Sequence, residues 1–287
     1  MFSGMPILQK LRTMVSKAGV APATPAEFGF VIGARIHPAD EVFDVELVEE
    51  QVTYAPATDG HLLLTGGPGT GKTLMLTALA NEAASDMEVH TVDAWGSLEK
   101  THALQPRAAA TIGFTPSECA TMLEVVLAEV RRRVQQCELE GVAAFGGLQD
   151  PPRRILVILD DTRHLLSDDD YSPSGDGQSK ARSIECIEEV VESAERAGVT
   201  FVFSSQWREG ESGLPAKILD GPIARLHLKA TRYESFSSDS SRVVYRHGYW
   251  KPSVQSESML LMQERQDDRP LLGPAEPRGH LAAPGCC

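Results

Sequence analysis

The 287 residues, 42% of them hydrophobic, are enough for one large α/β domain with appendages or for two small domains. With 40 acidic against 27 basic residues and a formal charge of −13, the composition argues against a protein that coats nucleic acid with its whole surface, because phosphate contacts need Lys and Arg. No apolar run is long enough to span a bilayer, and residues 1–20 mix Lys10, Arg12 and Lys17 through their apolar positions, unlike a signal peptide. The five cysteines show neither metal spacing nor a disulfide framework, so a reducing cytoplasm fits best.

In chain order, Met5, Leu8, Leu11 and Val15 fall near helical spacing, and Ala21-Pro22-Ala23-Thr24-Pro25 ends that helix. It can pack on its own domain, or dock on a partner or a membrane surface. Residues 28–36 and 42–54 read as β-branched strands joined by a turn at 37–40, a hairpin leading into a first core strand at 61–65. There follows Gly66-Gly67-Pro68-Gly69-Thr70-Gly71-Lys72-Thr73 and a helical stretch, 74–84. This is G-x-x-x-x-G-K-[ST] in the strand–turn–helix context the motif requires. Its glycines let successive backbone N–H groups turn toward phosphate oxygens, and the helix adds the positive end of its dipole. Lys72 would reach the β- and γ-phosphates of ATP, and the Thr73 hydroxyl would ligate Mg²⁺.

A strand at 88–92 then ends at Asp93, 94–107 has loop character, and 108–114 reads as another strand. Thr115, Pro116 and Glu118 form a helix start with a capping box. That helix is expected to reach about Cys137 and to bury Met122, Leu123, Val126, Val130 and Val134, with Arg131, Arg132 and Arg133 on its end, where the dipole favours cations. After a loop at 141–152, Arg154-Ile155-Leu156-Val157-Ile158-Leu159 is the continuous apolar run of a strand buried on both faces, and it ends in Asp160-Asp161. Residues 167–179 form an acidic loop, and 180–197 an amphipathic helix stopped by Gly198. The next buried strand, 199–204, ends at Ser205-Gln206, and 223–229 and 242–246 are two further strands. From Lys251 the chain loses periodicity and gains Pro, Gly and charge, the composition of a disordered tail.

A phosphate loop needs a second acidic element at the end of a neighbouring apolar strand to hold Mg²⁺. Asp160 would sit behind the metal-bound water and Asp161 would orient the attacking water. An aspartate there, rather than a glutamate, sets the carboxylate back by about 1.5 Å, one methylene step, and leaves slow hydrolysis open. Gln206 is either the γ-phosphate sensor or a polar cap on its strand. Arg225, Arg232 and Arg242 are equal candidates for an arginine acting on a neighbouring subunit. They belong to residues 201–250, where seven basic residues stand against five acidic while every other block is net negative. That region is the one to touch a phosphate backbone, unless its charge is simply solvated.

In this order of parts the chain resembles the motor domain of the FtsK/SpoIIIE DNA translocases, in the FtsK–HerA group of P-loop ATPases. The resemblance rests on His61-Leu62-Leu63-Leu64 leading into Gly66 and on the strand ending at Asp93 followed by the capped helix from Thr115. It rests also on residues 155–161 and, above all, on Arg196-Ala197-Gly198-Val199-Thr200-Phe201-Val202-Phe203-Ser204-Ser205-Gln206, followed by Ile223-Ala224-Arg225-Leu226. It covers residues 28–250. It implies a RecA-like P-loop NTPase of the α/β class, with a central, mostly parallel sheet flanked by helices, after an N-terminal segment 1–27 and before a tail 251–287. It further implies Gln206 as sensor and a homo-oligomeric, hexameric ring that draws duplex DNA through its pore. Asp161 departs from the family's glutamate, the Gly-Pro-Gly setting of Thr70-Gly71-Lys72-Thr73 is equally like AAA+ proteins, and neither a membrane anchor nor a winged-helix reader is expected. An FtsK-like ATPase acting on protein, reached through the N-terminal helix or the 167–179 loop, and a weakly hydrolysing nucleotide-dependent module are the competing readings.

Overall fold

The computed structural model describes residues 29–36, 51–94, 109–167, 176–206, 212–236, 242–252 and 258–264. Its strands are β1 (Phe30–Ile36), β2 (Gln51–Tyr54), β3 (His61–Thr65), β4 (Met87–Asp93), β5 (Ala109–Gly113), β6 (Arg154–Asp160), β7 (Val199–Ser205), β8 (Ile223–Phe236), β9 (Arg242–Lys251) and β10 (Ser258–Glu264). Its helices are α1 (Pro56–Asp59), α2 (Lys72–Ala83), α3 (Pro116–Glu140), α4 (Thr162–Leu166), α5 (Gly177–Ala197) and α6 (Ala216–Leu219). The strands form one sheet in the order β2-β1-β10-β9-β8-β3-β7-β6-β4-β5. From β8 to β5 every neighbouring pair is parallel. From β8 back to β2 every pair is antiparallel.

Alternation along buried strands builds two cores. Leu63, Val157, Leu159, Phe201 and Phe203 face α3 and α5, while Leu62, Leu64, Leu156, Ile158 and Val202 face α2. Each such side chain contributes about 1.5–3 kcal/mol by leaving water, so strands apolar at both parities hold a layer on each side. The hairpin expected ahead of the first core strand is present as the antiparallel pair β1 and β2, with α1 between it and β3. Tyr54 anchors it, stacked on Phe30 at 5.8 Å, edge-on to Trp250 at 6.1 Å, and donating its hydroxyl hydrogen to Gly60 O at 2.7 Å.

α3 starts on the expected capping box: Glu118 N–H donates to Thr115 Oγ1, and the Glu118 carboxylate accepts from Thr115 N. It continues to Glu140, past the expected end, so the arginine triplet is not a helix-end feature. Arg131 instead makes a two-bond pair with Glu189 of α5, at 2.7 and 2.8 Å. Arg132 pairs with Glu129. Arg133, only 2% exposed, bonds Glu129 and the carbonyl of Ala197, at the end of α5. Cross-linking of two packed helices replaces the dipole argument. α5 begins at Gly177, before the expected Lys180, whose buried ammonium donates to Ser167 O.

The larger correction concerns the tail. Ser258–Glu264 forms β10, inserted antiparallel between β9 (Ser258↔Trp250 to Glu264↔Val244) and β1 (Ala34↔Leu261). The run Met259-Leu260-Leu261-Met262 becomes a strand because two ladders are waiting for it, a non-local cause that composition does not register. The N-terminal helix, residues 168–175 of the acidic loop and residues 265–287 lie outside the described residues. Among the described residues no helix is long and apolar enough to cross a membrane.

Candidate nucleotide-binding site

β3 is buried throughout and stops at Thr65, and the loop that follows is shaped by contact with its neighbours. A Cβ at Gly66 would lie 2.5 Å from Leu228 O of β8, so this position tolerates no side chain. At Gly67 and Gly69 a Cβ would meet nothing within 4 Å, and Gly69 turns with φ 74°. The loop is therefore pressed against the sheet at its first glycine and open beyond it. Thr70, 2% exposed, donates from Oγ1 to Gly67 O at 2.9 Å and stiffens the turn. Lys72 is 8% exposed and donates from Nζ to Gly66 O (2.6 Å) and Gly67 O (3.0 Å). Burial lowers its pKa, opposed by the nearby charges of Asp160 and Asp161. Thr73, half-buried, follows in the first turn of α2, where unpaired backbone N–H groups and the dipole favour an anion.

The acidic element lies two strands away, with β7 between. Ladder registers set Leu64 opposite Ser204 and Asp160 opposite Asp93, so the carboxyl ends of β3, β7, β6 and β4 stand level at one edge. Asp160 is buried and accepts a hydrogen bond from Ser204 Oγ. Burial raises its pKa; the Ser204 bond lowers it, Asp93 and Asp161 raise it further, and Lys72 opposes them. Asp161 turns the chain into α4 in the left-handed region (φ 56°, ψ 66°). Gln206 Nε2 donates to Asp161 Oδ2 at 3.4 Å. Lys72, Asp160, Asp161 and Gln206 thus come together with the open glycine loop.

The sequence reading missed three participants. Asp93 is fully buried beside Asp160, and it follows the apolar end of β4 much as Asp160 follows β6, a signal that was available. Ser204 and Thr162 bond around the two aspartates and could not be singled out without the register of β6 against β7. Of the three arginines, Arg225 donates to Leu219 O (2.6 Å) and Ile223 O (2.9 Å), bracing the turn between α6 and β8 at the strand's opposite end from the loop. Arg232 and Arg242 lie in the β8–β9 ladder at Arg232↔Arg246 and Phe236↔Arg242; their side chains fall outside the description. The basic stretch is partly engaged within the domain, since Lys217 pairs with Glu192 and Lys229 lies 4.4 Å over the Tyr249 ring.

Among the described residues no cluster of three or more His, Cys, Asp or Glu is arranged to hold a metal ion. The donor set fits Mg²⁺ nonetheless, because that ion binds through one or two protein oxygens together with phosphate and water. Thr73, in the first turn of α2 after the loop, and Asp160, at the end of β6, carry such oxygens.

A glycine loop between a buried strand and a helix, faced across one strand by a buried aspartate pair and a glutamine, defines the fold of a P-loop ATPase domain. The model of the ATPase family associated with various cellular activities (AAA) matches residues 62–202. Among solved structures, the pCW3 conjugation coupling protein TcpA, in monomer form with ATPγS, is similar with TM-score 0.60 at 11% identity, over 83% of this chain and 66% of that one. EssC (ATPases 2 and 3) from Geobacillus thermodenitrificans gives TM-score 0.60 at 14% identity, over 90% and 47%. EccC (ATPases 2 and 3) from Thermomonospora curvata, in complex with a signal sequence peptide, gives 0.55 at 11%, over 87% and 43%. The chain spans just under two thirds of TcpA and less than half of EssC and EccC. No curated protein matches the sequence significantly. These neighbours agree in fold with the FtsK/SpoIIIE-like motor domain that the sequence resembles.

Proposed function

We propose that this domain binds ATP with Mg²⁺ and hydrolyses it as an FtsK/SpoIIIE-type motor that acts on duplex DNA, in a homo-oligomeric ring in the cytoplasm. One observation carries the reading: Lys72 in its open glycine loop and the Asp160–Asp161 pair meet at one sheet edge, close enough for both carboxylates to act on the Lys72 charge. Backbone amides of the loop and the start of α2 would hold the phosphates. The Lys72 ammonium, already stripped of much of its water, would exchange the Gly66 and Gly67 carbonyls for phosphate oxygens. Thr73 and Asp160 would hold Mg²⁺, which when bound neutralises charge on the transferred phosphoryl group. Asp161 would orient the attacking water, and Gln206, hydrogen-bonded to it, would report the γ-phosphate.

The test is ATPase rate with and without duplex DNA. Wild-type protein is expected to hydrolyse ATP, faster with DNA, with a stimulation that falls as salt screens phosphate contacts. Lys72→Ala is expected to abolish turnover. A rate indifferent to DNA over a wide concentration range would exclude DNA translocation. It would favour an FtsK-like ATPase acting on protein, the reading supported by similarity to EssC and to EccC in complex with a signal sequence peptide.

A further inference from the structure

The ladder between β6 and β7 closes at Leu159↔Phe203, one residue before the site begins. Asp160 and Asp161 follow that rung, and both are buried and belong to the candidate site. Side chains hold them in place. Ser204, fully buried, donates from Oγ to Asp160 Oδ1, and Ser204 Oγ in turn accepts from Asp161 N–H at 3.3 Å. Thr162, also fully buried, has Oγ1 2.7 Å from Ser212 O and 3.1 Å from Ser204 O, so its one hydrogen is shared between the two carbonyls. One serine therefore fixes the plane of the first carboxylate and the amide of the second, while Thr162 holds that serine's backbone.

Two residues further along the chain, Gln206 reaches Asp161. The end of β7 thus holds both aspartates, through Ser204 on one and through Gln206 on the other. A hydroxyl has one hydrogen to donate; spending it on Asp160 Oδ1 fixes how the carboxylate is turned toward the phosphate loop.

We infer that Ser204 is a positioning residue for Mg²⁺: it presents the Asp160 carboxylate in the orientation the ion requires and locks the Asp161 turn to it. The inference rests on the nucleotide reading above. Partners of metal-ligand side chains are worth about 10–100-fold in metal affinity, whereas a serine that merely satisfies itself in a core affects stability alone.

The experiment is calorimetric titration of the full chain with ATPγS, in EDTA and in a series of Mg²⁺ concentrations, for wild type, Ser204→Ala and Ser204→Cys. Wild type is expected to bind more tightly with Mg²⁺. Both variants should keep the EDTA affinity and need about 10-fold more Mg²⁺ for half of the enhancement, the lower end of what such partners contribute. Ser204→Cys, near-isosteric with a weak donor, carries the test if Ser204→Ala does not fold. Variants that fold and show the wild-type Mg²⁺ dependence would overturn the inference. Wild-type protein that binds no ATPγS in either condition would instead overturn the nucleotide reading, and this inference with it.

Discussion

The two halves of the sheet differ in what strand direction does for them. In the parallel half, β8 to β5, the strands run the same way and β3, β4, β6 and β7 end at one edge, so residues far apart in sequence arrive there together: Gly66 after β3, Asp93 on β4, Asp160 on β6, Ser204 on β7. Parallel strands collect their carboxyl ends, and the crevice beyond those ends is where ligands bind in such sheets. In the antiparallel half, β9, β10, β1 and β2 alternate, and successive chain ends point opposite ways. That half buries Phe30, Ile32, Tyr54 and Trp250 in the α2-facing core, but Val31 and Thr53 on the other parity are exposed. It supplies packing where the parallel half supplies chemistry.

The largest effect expected to sharpen this contrast comes from Asp161→Asn. Asparagine tolerates the left-handed backbone there, so the variant should fold, bind ATPγS like wild type and lose turnover. Unaltered turnover in a steady-state assay would remove Asp161 from the mechanism. Next is an acid sensitivity built into the start of β3. His61 is buried, accepts from Phe201 N–H through Nδ1 at 3.1 Å, and burial lowers its pKa to about 4. The unfolded chain takes up its proton near pH 6.5, so stability is full above that value and falls as pH drops from 6.5 to 4, by roughly 3 kcal/mol. Urea denaturation at pH 7 and pH 4.5 should show the loss in wild type and a smaller one in His61→Gln; equal losses would acquit the histidine. Smallest is Val31→Thr in β1, at 38% exposure, expected to change stability by no more than about 0.5 kcal/mol and ATPγS affinity not at all. A shifted affinity would mean that the halves are not separable.

The same division governs what could be read from sequence. β3, β6 and β7 announce themselves as unbroken apolar runs, the glycine loop by its motif, and α3 by Thr115 and Glu118, because each signal is local. The antiparallel half depends on pairing between distant segments. β10 is a short apolar run within a polar, proline-bearing stretch, and only β9 and β1 on its flanks explain why it is extended. Arg133 misled for a related reason: three arginines in a row look like a helix end favoured by the dipole until the carbonyl of Ala197, at the end of another helix, is seen to receive one of them. The roles of Ser204 and Thr162 were hidden entirely, since a serine two residues before a strand-end glutamine has no meaning until β6 is laid against β7.

The placement of β10 has a bearing on how the domain comes together. β1 is among the earliest strands along the chain, and its route into the sheet runs through β10, the latest one described. During synthesis the first hairpin must therefore wait, its inner edge uncovered, until nearly the whole domain has emerged. Contacts of such long sequence separation slow folding, and while Ala34 awaits Leu261 the inner edge of β1 is open to mispairing.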